Sequence, residues 1–389
     1  MKKFETLAIR TQAERSQQRE HSVPLYLTSS YIFNDAEQAR ALFADEEEGN
    51  IYSRFSNPNN QELEKKMSLL EGTEDAFSTA SGMAAVFASL APFLKSGDHV
   101  VSSASIFGNS HKVMTEVLPQ WNISVTYADI RNNQSWEKAI QPNTKAVFVE
   151  NPSNPALDMI DLEFLSGLAK SVGALLVVDN CFATPYLQQP AKWGADLVVH
   201  SATKYLDGQG RVLGGVIAGS KKNINTVKTF IKRTGATLSP FNAWVISKSI
   251  ETLAVRMDRH CDNALQLAKF LEEHPEVNQV TYPHLESYRS YDLAKKYMLK
   301  GGGLVGFEIK GGIARGKKFL DALEMISLTA NLGDTRSIAT HPASTTHSKL
   351  TSEERESVYV SDSLIRISTG LENITDIIED IDRAIRISK

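Results

Sequence analysis

The stretch Leu197-Val198-Val199-His200-Ser201-Ala202-Thr203-Lys204-Tyr205, with its continuation Val212-Leu213-Gly214-Gly215-Val216-Ile217, decides the fold. Each half carries an apolar run of the kind that forms a buried strand. The loop between them holds Gly208, Gln209, Gly210 and Arg211. The pattern predicts two buried strands joined by a polar loop, with Ser201, Thr203 and Lys204 where the first strand leaves the core. Desolvation and nearby cations lower the pKa of a lysine so placed, and a neutral amine is a nucleophile towards carbonyls. An ordinary surface lysine at a strand end fits this local sequence equally well.

Upstream, strand and helix patterns alternate. Strands are predicted over 98–102, 123–127, 145–150 and 174–178, and helices over 110–118 and 162–171. Near-continuous apolar strands separated by helices indicate an α/β fold with a mostly parallel central sheet covered on both faces. Ligands bind such sheets at the carboxyl ends of the strands. Asn154, Asp179, and Ser201 with Lys204 all fall there. The aspartate also suits a simple helix cap. Further upstream, Ser81-Gly82-Met83 opens a helical run over 84–94. Its free amides suit a phosphate, although a plain serine cap explains the same letters. Tyr52-Ser53-Arg54 lies in a turn-rich segment ahead of a helix carrying Leu63, Met67 and Leu70. Its arginine suits either an anion or open solvent.

These elements divide the chain into an arm over 1–50, an α/β domain over 51–240 and a smaller α+β domain over 241–389. The arm lacks apolar periodicity of its own and is expected to lie on its own body or on a neighbouring subunit. In the last domain an amphipathic stretch spans 250–271, strands are predicted over 304–309 and 364–368, and helices over 313–325 and 374–387. A polar stretch over 332–363 contains Ser337, His341 and His347. Pro342 breaks any helix that would align the two histidines, so no metal site is expected.

The 389 residues are 42% hydrophobic and 23% charged, ordinary values for a globular protein. A net charge of −4 supplies no bulk attraction for nucleic acid or an anionic membrane. Two cysteines are too few for a disulfide framework and suit a reducing compartment. The polar residues 1–20 hold no signal-like apolar run, and no uninterrupted apolar stretch approaches about 18 residues. A cytoplasmic protein acting on a small molecule is the expectation.

A lysine amine, an aspartate, a phosphate seat, adjacent hydroxyls and two arginines together match the needs of pyridoxal phosphate. Its aldehyde binds a lysine, its ring nitrogen needs a carboxylate, and its phosphate wants helix-terminal amides, hydroxyls and a guanidinium. The chain resembles, over nearly its whole length, the cysteine/methionine-metabolism family of pyridoxal-phosphate-dependent transsulfuration enzymes. The resemblance rests on Tyr52-Ser53-Arg54, Ser81-Gly82-Met83, Glu150-Asn151-Pro152-Ser153-Asn154-Pro155, Val178-Asp179-Asn180, Ser201-Ala202-Thr203-Lys204-Tyr205 and His341-Pro342-Ala343-Ser344.

The resemblance implies fold type I, the aspartate-aminotransferase-like architecture. It implies that Lys204 binds the cofactor aldehyde and later shuttles protons, and that Asp179 pairs with the ring nitrogen. Ser81, Gly82, Met83, Ser201 and Thr203 would hold the phosphate, and Asn154 would lie near the phenolic oxygen. Arg366 would grip the substrate α-carboxylate with Ser337 near it. Tyr52 and Arg54 would reach the neighbouring subunit's phosphate, which implies a dimer with shared active sites, assembled as a homotetramer.

One position departs from the family pattern. Where most members carry a ring-stacking tyrosine, this chain reads Ile106-Phe107-Gly108-Asn109. Phe107 keeps the stacking face and loses the hydroxyl, so proton transfer falls more heavily on Lys204. With this phenylalanine and the 207–215 loop the chain looks most like the O-succinylhomoserine sulfhydrylases. These exchange succinate for sulfide at the γ-carbon to give homocysteine. Arg211 is a candidate for the distal succinyl carboxylate, and a structural pairing with Asp207 suits it as well. Cystathionine γ-synthase, O-acetylhomoserine sulfhydrylase and methionine γ-lyase share the same cofactor residues. A nicotinamide enzyme is disfavoured because no G-x-G-x-x-G follows the first strand. A non-catalytic scaffold would be expected to lack Lys204 or Asp179.

Overall fold

In the computed structural model, which describes residues 2–389, seven strands form the larger sheet. They are β1 (Asp75–Thr79), β2 (His99–Ser103), β3 (Ser124–Ala128), β4 (Thr144–Glu150), β5 (Leu175–Asp179), β6 (Leu197–Ser201) and β7 (Gly215–Gly219). Their spatial order is β1-β7-β6-β5-β4-β2-β3. β2 to β6 pair in parallel, as the sequence predicts, while β7 runs antiparallel to both β6 and β1. The chain reverses between β6 and β7 through the glycine-containing loop, where a parallel return would have needed a crossover helix.

Side chains alternate between two apolar layers. Val177, Val199 and Ile217 join a cluster with Ala85 and Val86 of helix Gly82–Ala88. Val178, Val216 and Ala218 point the other way, into a core shared with Leu63, Met67 and Leu70 of helix Pro58–Glu71. That second core continues into the smaller sheet through Val305, Phe307, Ile365 and Ile367. The smaller sheet comprises β8 (Val277–Thr281), β9 (Leu304–Ile309), β10 (Ser327–Leu328), β11 (Ile338–Thr340) and β12 (Leu364–Ser368), in the order β10-β11-β12-β9-β8.

Several elements differ from expectation for local reasons. The helix predicted over 110–118 is Gly108–Lys112, a wider π turn at Val113–Val117 and a 3₁₀ turn at Leu118–Trp121; Pro119 brings no amide hydrogen to that last turn. The run over 84–94 becomes Gly82–Ala88 and a separate turn at Ala91–Phe93 containing Pro92. The amphipathic stretch over 250–271 forms helix Leu253–Glu272, while Ile250 ends a preceding helix, Pro240–Ile250. Leu27, Ile32 and Phe43 of the N-terminal arm are exposed. Among the described residues no helix is long and apolar enough to cross a membrane.

Candidate active site

The carboxyl ends of β2, β4, β5 and β6 open on one cavity of about 460 Å³. β2 pairs with β3 on one side and β4 on the other, so successive crossovers diverge there and leave a crevice. Phe107 follows β2, Glu150 ends β4, Asp179 ends β5 and Ser201 ends β6; all four line the cavity. By alternation Glu150, Asp179 and Ser201 lie on the face covered by helix Gly82–Ala88. Leu332 and Arg366, the latter on β12 of the smaller sheet, also line the cavity.

Lys204 sits in the first turn after β6, where Ala202 donates its amide to the carbonyl of Gly214 at 2.9 Å. Its Nζ donates to Asn331 Oδ1. Burial holds the amine below the ordinary lysine value, and the charge of Arg366 acts in the same direction. Asp179 Oδ1 accepts one bond, 2.9 Å from the amide of Cys181. Burial pushes its carboxyl up to about 6, against the opposing pull of that amide and of His200. Glu150, level with Asp179 in the β4–β5 register, accepts the amide of Phe107 at 2.7 Å. Burial and the neighbouring Asp179 push its carboxyl well above the usual range. Arg366 Nη1 donates to Asn154 Oδ1 at 2.7 Å, while its buried Nε has no partner. Burial pulls this guanidinium down to about 10.

At the other end of the cavity Ser81 caps its helix, accepting the amide of Ala84 at 3.1 Å. A Cβ on Gly82 would stand 2.6 Å from the Cβ of Ser201, so only glycine lets this helix start approach β6 so closely. Thr203 Oγ1 accepts the amide of Gly214 at 3.2 Å. Ser81, Gly82, Met83, Ser201 and Thr203 therefore surround one corner with hydroxyls and helix-terminal amides. This donor set fits pyridoxal phosphate: a desolvated amine, a buried carboxyl, an anion cradle, and a guanidinium with spare donor capacity for a substrate carboxylate.

Four expected residues lie elsewhere. Ser337 is buried, donates to Glu372 Oε2 at 2.9 Å and accepts the amide of Gly370 at 2.8 Å. It does not line the cavity with Arg366, because β11 pairs Thr340, not Ser337, with Arg366. Arg211 also stays out of the cavity. It forms an ion pair with the buried Asp207 at 2.8 Å and donates to Ser249 Oγ. The structural pairing thus prevails over the succinyl contact. Tyr52 is exposed, and Arg54 lies over the rings of Tyr52 and Phe55 and donates to the carbonyl of Lys232, away from the cavity.

Asn331 was not legible as a partner of Lys204, being 127 residues away in sequence. Thr346 and His347 also line the cavity, so the polar stretch over 332–363 reaches the site through side chains other than Ser337. His341 is occupied by Ser344 Oγ at 2.8 Å and the carbonyl of Asp362 at 3.0 Å.

The model of a family described as Cys/Met metabolism PLP-dependent enzymes matches residues 5–386. An O-succinylhomoserine sulfhydrylase of Pseudomonas aeruginosa is 45% identical over 382 residues, covering 98% of this chain and 95% of that protein. An L-methionine gamma-lyase of Porphyromonas gingivalis is 44% identical over 363 residues, covering 92% and 91%. Among solved structures, a putative O-acetylhomoserine (thiol)-lyase of Campylobacter jejuni superposes with a TM-score of 0.95 at 37% identity. It covers 99% of this chain and all of that one, and it carries a pyridoxyl-lysine monophosphate.

Proposed function

The chain belongs to the Cys/Met metabolism PLP-dependent enzymes, and from that premise we propose that it converts O-succinylhomoserine and sulfide into homocysteine and succinate. The observation that carries a lysine-based reaction is the meeting of Lys204, Asp179 and Arg366 on one cavity. The succinyl ester is favoured by the likeness to the sulfhydrylase of P. aeruginosa and by Phe107 in place of a tyrosine.

Pyridoxal phosphate, when bound, supplies an electron sink that weakens bonds around the amino acid's α-carbon. Asp179 offers the carboxylate for the ring nitrogen, and Ser81, Gly82, Met83, Ser201 and Thr203 hold the phosphate. Asn154, fixed by Arg366 and lining the cavity, would serve the ring's phenolic oxygen. Arg366 directs its spare Nε–H to the substrate carboxylate. Phe107, which lines the cavity, would cover one ring face and has no hydroxyl to exchange a proton. Lys204 Nζ therefore moves the substrate's protons, its desolvation favouring the free amine. Asn331 holds that Nζ through its side-chain carbonyl and limits its swing.

Tyr52 and Arg54 are assigned to a neighbouring subunit's phosphate, in a homotetramer with shared sites. Their distance from the cavity of their own chain and the exposed apolar arm support this. Mass by light scattering, with Arg54→Ala compared for cofactor retention, tests the assignment.

Offering O-succinylhomoserine and O-acetylhomoserine, each with sulfide and with cysteine, tests the reaction. Homocysteine formed fastest from the succinyl ester and sulfide is the expected result. Preference for the acetyl ester, cystathionine from cysteine, or methanethiol released from methionine would each assign the chain to another activity of the same family.

A further inference from the structure

Two carboxyls stand side by side at the floor of the cavity. Glu150 closes β4 and Asp179 closes β5, and the two are register partners in adjacent parallel strands. Both face the cavity, and Glu150 is 5% exposed. Adjacent carboxylates cannot both ionise at low cost in such a site. Only one of them is needed for a ring nitrogen.

What Glu150 does instead is visible in its hydrogen bond. Its Oε1 accepts the amide of Phe107 at 2.7 Å across 43 residues of sequence. Phe107 precedes helix Gly108–Lys112, with φ −53° and ψ 134°, and no side-chain cap fixes that helix start. Phe107 is 43% exposed, so apolar packing holds it only in part. The Glu150 carboxyl is thus a direct tether between the strand that bears it and the backbone of the residue whose ring lines the cavity. Arg366 bonds to Asn154, not to Glu150.

We propose that Glu150 is a positioning residue: its carboxyl grips the Phe107 amide and sets that ring against the cofactor, leaving Asp179 to serve the ring nitrogen. The proposal concerns the cofactor seat and is independent of which acyl ester is the substrate. A neutral side chain of the same length that accepts the amide should replace it, whereas a shorter one should not.

Apo protein reconstituted with pyridoxal phosphate gives two readouts, the dissociation constant and the visible circular dichroism induced in the bound cofactor. Glu150→Gln is expected to bind within about 2-fold of the parent with the same dichroic band. Glu150→Ala and Phe107→Ala should each weaken binding by about 10-fold and shrink the band. The double variant should bind within about 2-fold of Phe107→Ala, since both changes remove the same ring placement. Losses that multiply in the double variant, or a Gln variant as impaired as the Ala variant, would overturn the proposal. Should Glu150→Ala fail to fold, Glu150→Gln alone decides: parity supports the tether, and a 10-fold loss removes it.

Discussion

The two faces of the sheet at the end of β6 carry the same kinds of side chain and use them differently. On the face away from the cavity, His200 Nε2 lies 2.5 Å from Glu71 Oε1, and Asn180 donates to the same oxygen at 3.0 Å. Gln188 then bonds the Asn151 carbonyl at 2.6 Å and Asn180 Oδ1 at 3.0 Å. This network ties together the ends of β4, β5 and β6 from behind. On the cavity face Asp179, Glu150 and Lys204 each have one side-chain bond, and Arg366 keeps an unpartnered Nε. The first set bond one another and hold the strands in place, and their remaining unpartnered atoms, Glu71 Oε2 and His200 Nδ1, are shut in the core away from the cavity. Groups left with capacity to spare, in a cavity, are the ones available to a ligand.

Substitutions on the two faces should therefore separate activity from stability. Lys204→Ala is expected to lower turnover by at least about 10³-fold with little change in melting temperature, read by sulfhydrylase assay and calorimetry. Asp179→Asn should lower turnover by about 10²-fold and raise the apo melting temperature by roughly 2 °C. The sign follows from its raised carboxyl pKa. The folded apo protein holds a proton that the unfolded chain has released, so stability falls as pH rises from about 4 to about 6, and asparagine removes that loss. Apo stability of the parent measured across this window checks the direction.

Glu71→Ala should show the reverse pattern. His200 and Asn180 lose their shared buried acceptor, which costs about 2–4 kcal/mol in denaturant unfolding, while turnover per loaded site stays within about 3-fold. Equal losses of stability and turnover would erase the distinction between the faces. Arg366→Lys keeps the charge and loses the fork, so KM should rise by about 10-fold with a smaller change in kcat. Arg211→Ala is the smallest test. KM for succinyl and acetyl esters should both stay within about 2-fold, because the arginine pairs with Asp207 outside the cavity.

Strongly patterned elements were legible in the sequence. Helices Leu162–Ser171 and Ile374–Ile387 and the strands β9 and β12 occur where their apolar periodicity places them. The convergence of Asn154, Asp179, Ser201 and Lys204 also followed, because parallel strands bring their carboxyl ends to one side. β8 was illegible because its residues are half-buried or exposed and mostly polar at an edge. β1 was illegible as a strand, since Ser78 and Thr79 are polar although buried. Within the site, one strand-register difference separates Ser337 from Arg366, and a tertiary contact alone brings Asn331 to Lys204. Neither leaves a local periodic signal.

The central claim is that the amine of Lys204 is the covalent anchor of the cofactor. Protein loaded with pyridoxal phosphate, reduced with borohydride and digested should yield a phosphopyridoxyl label on the peptide containing Lys204 and on no other. A label on a different lysine, or a chain that remains unlabelled after loading and reduction, would contradict it.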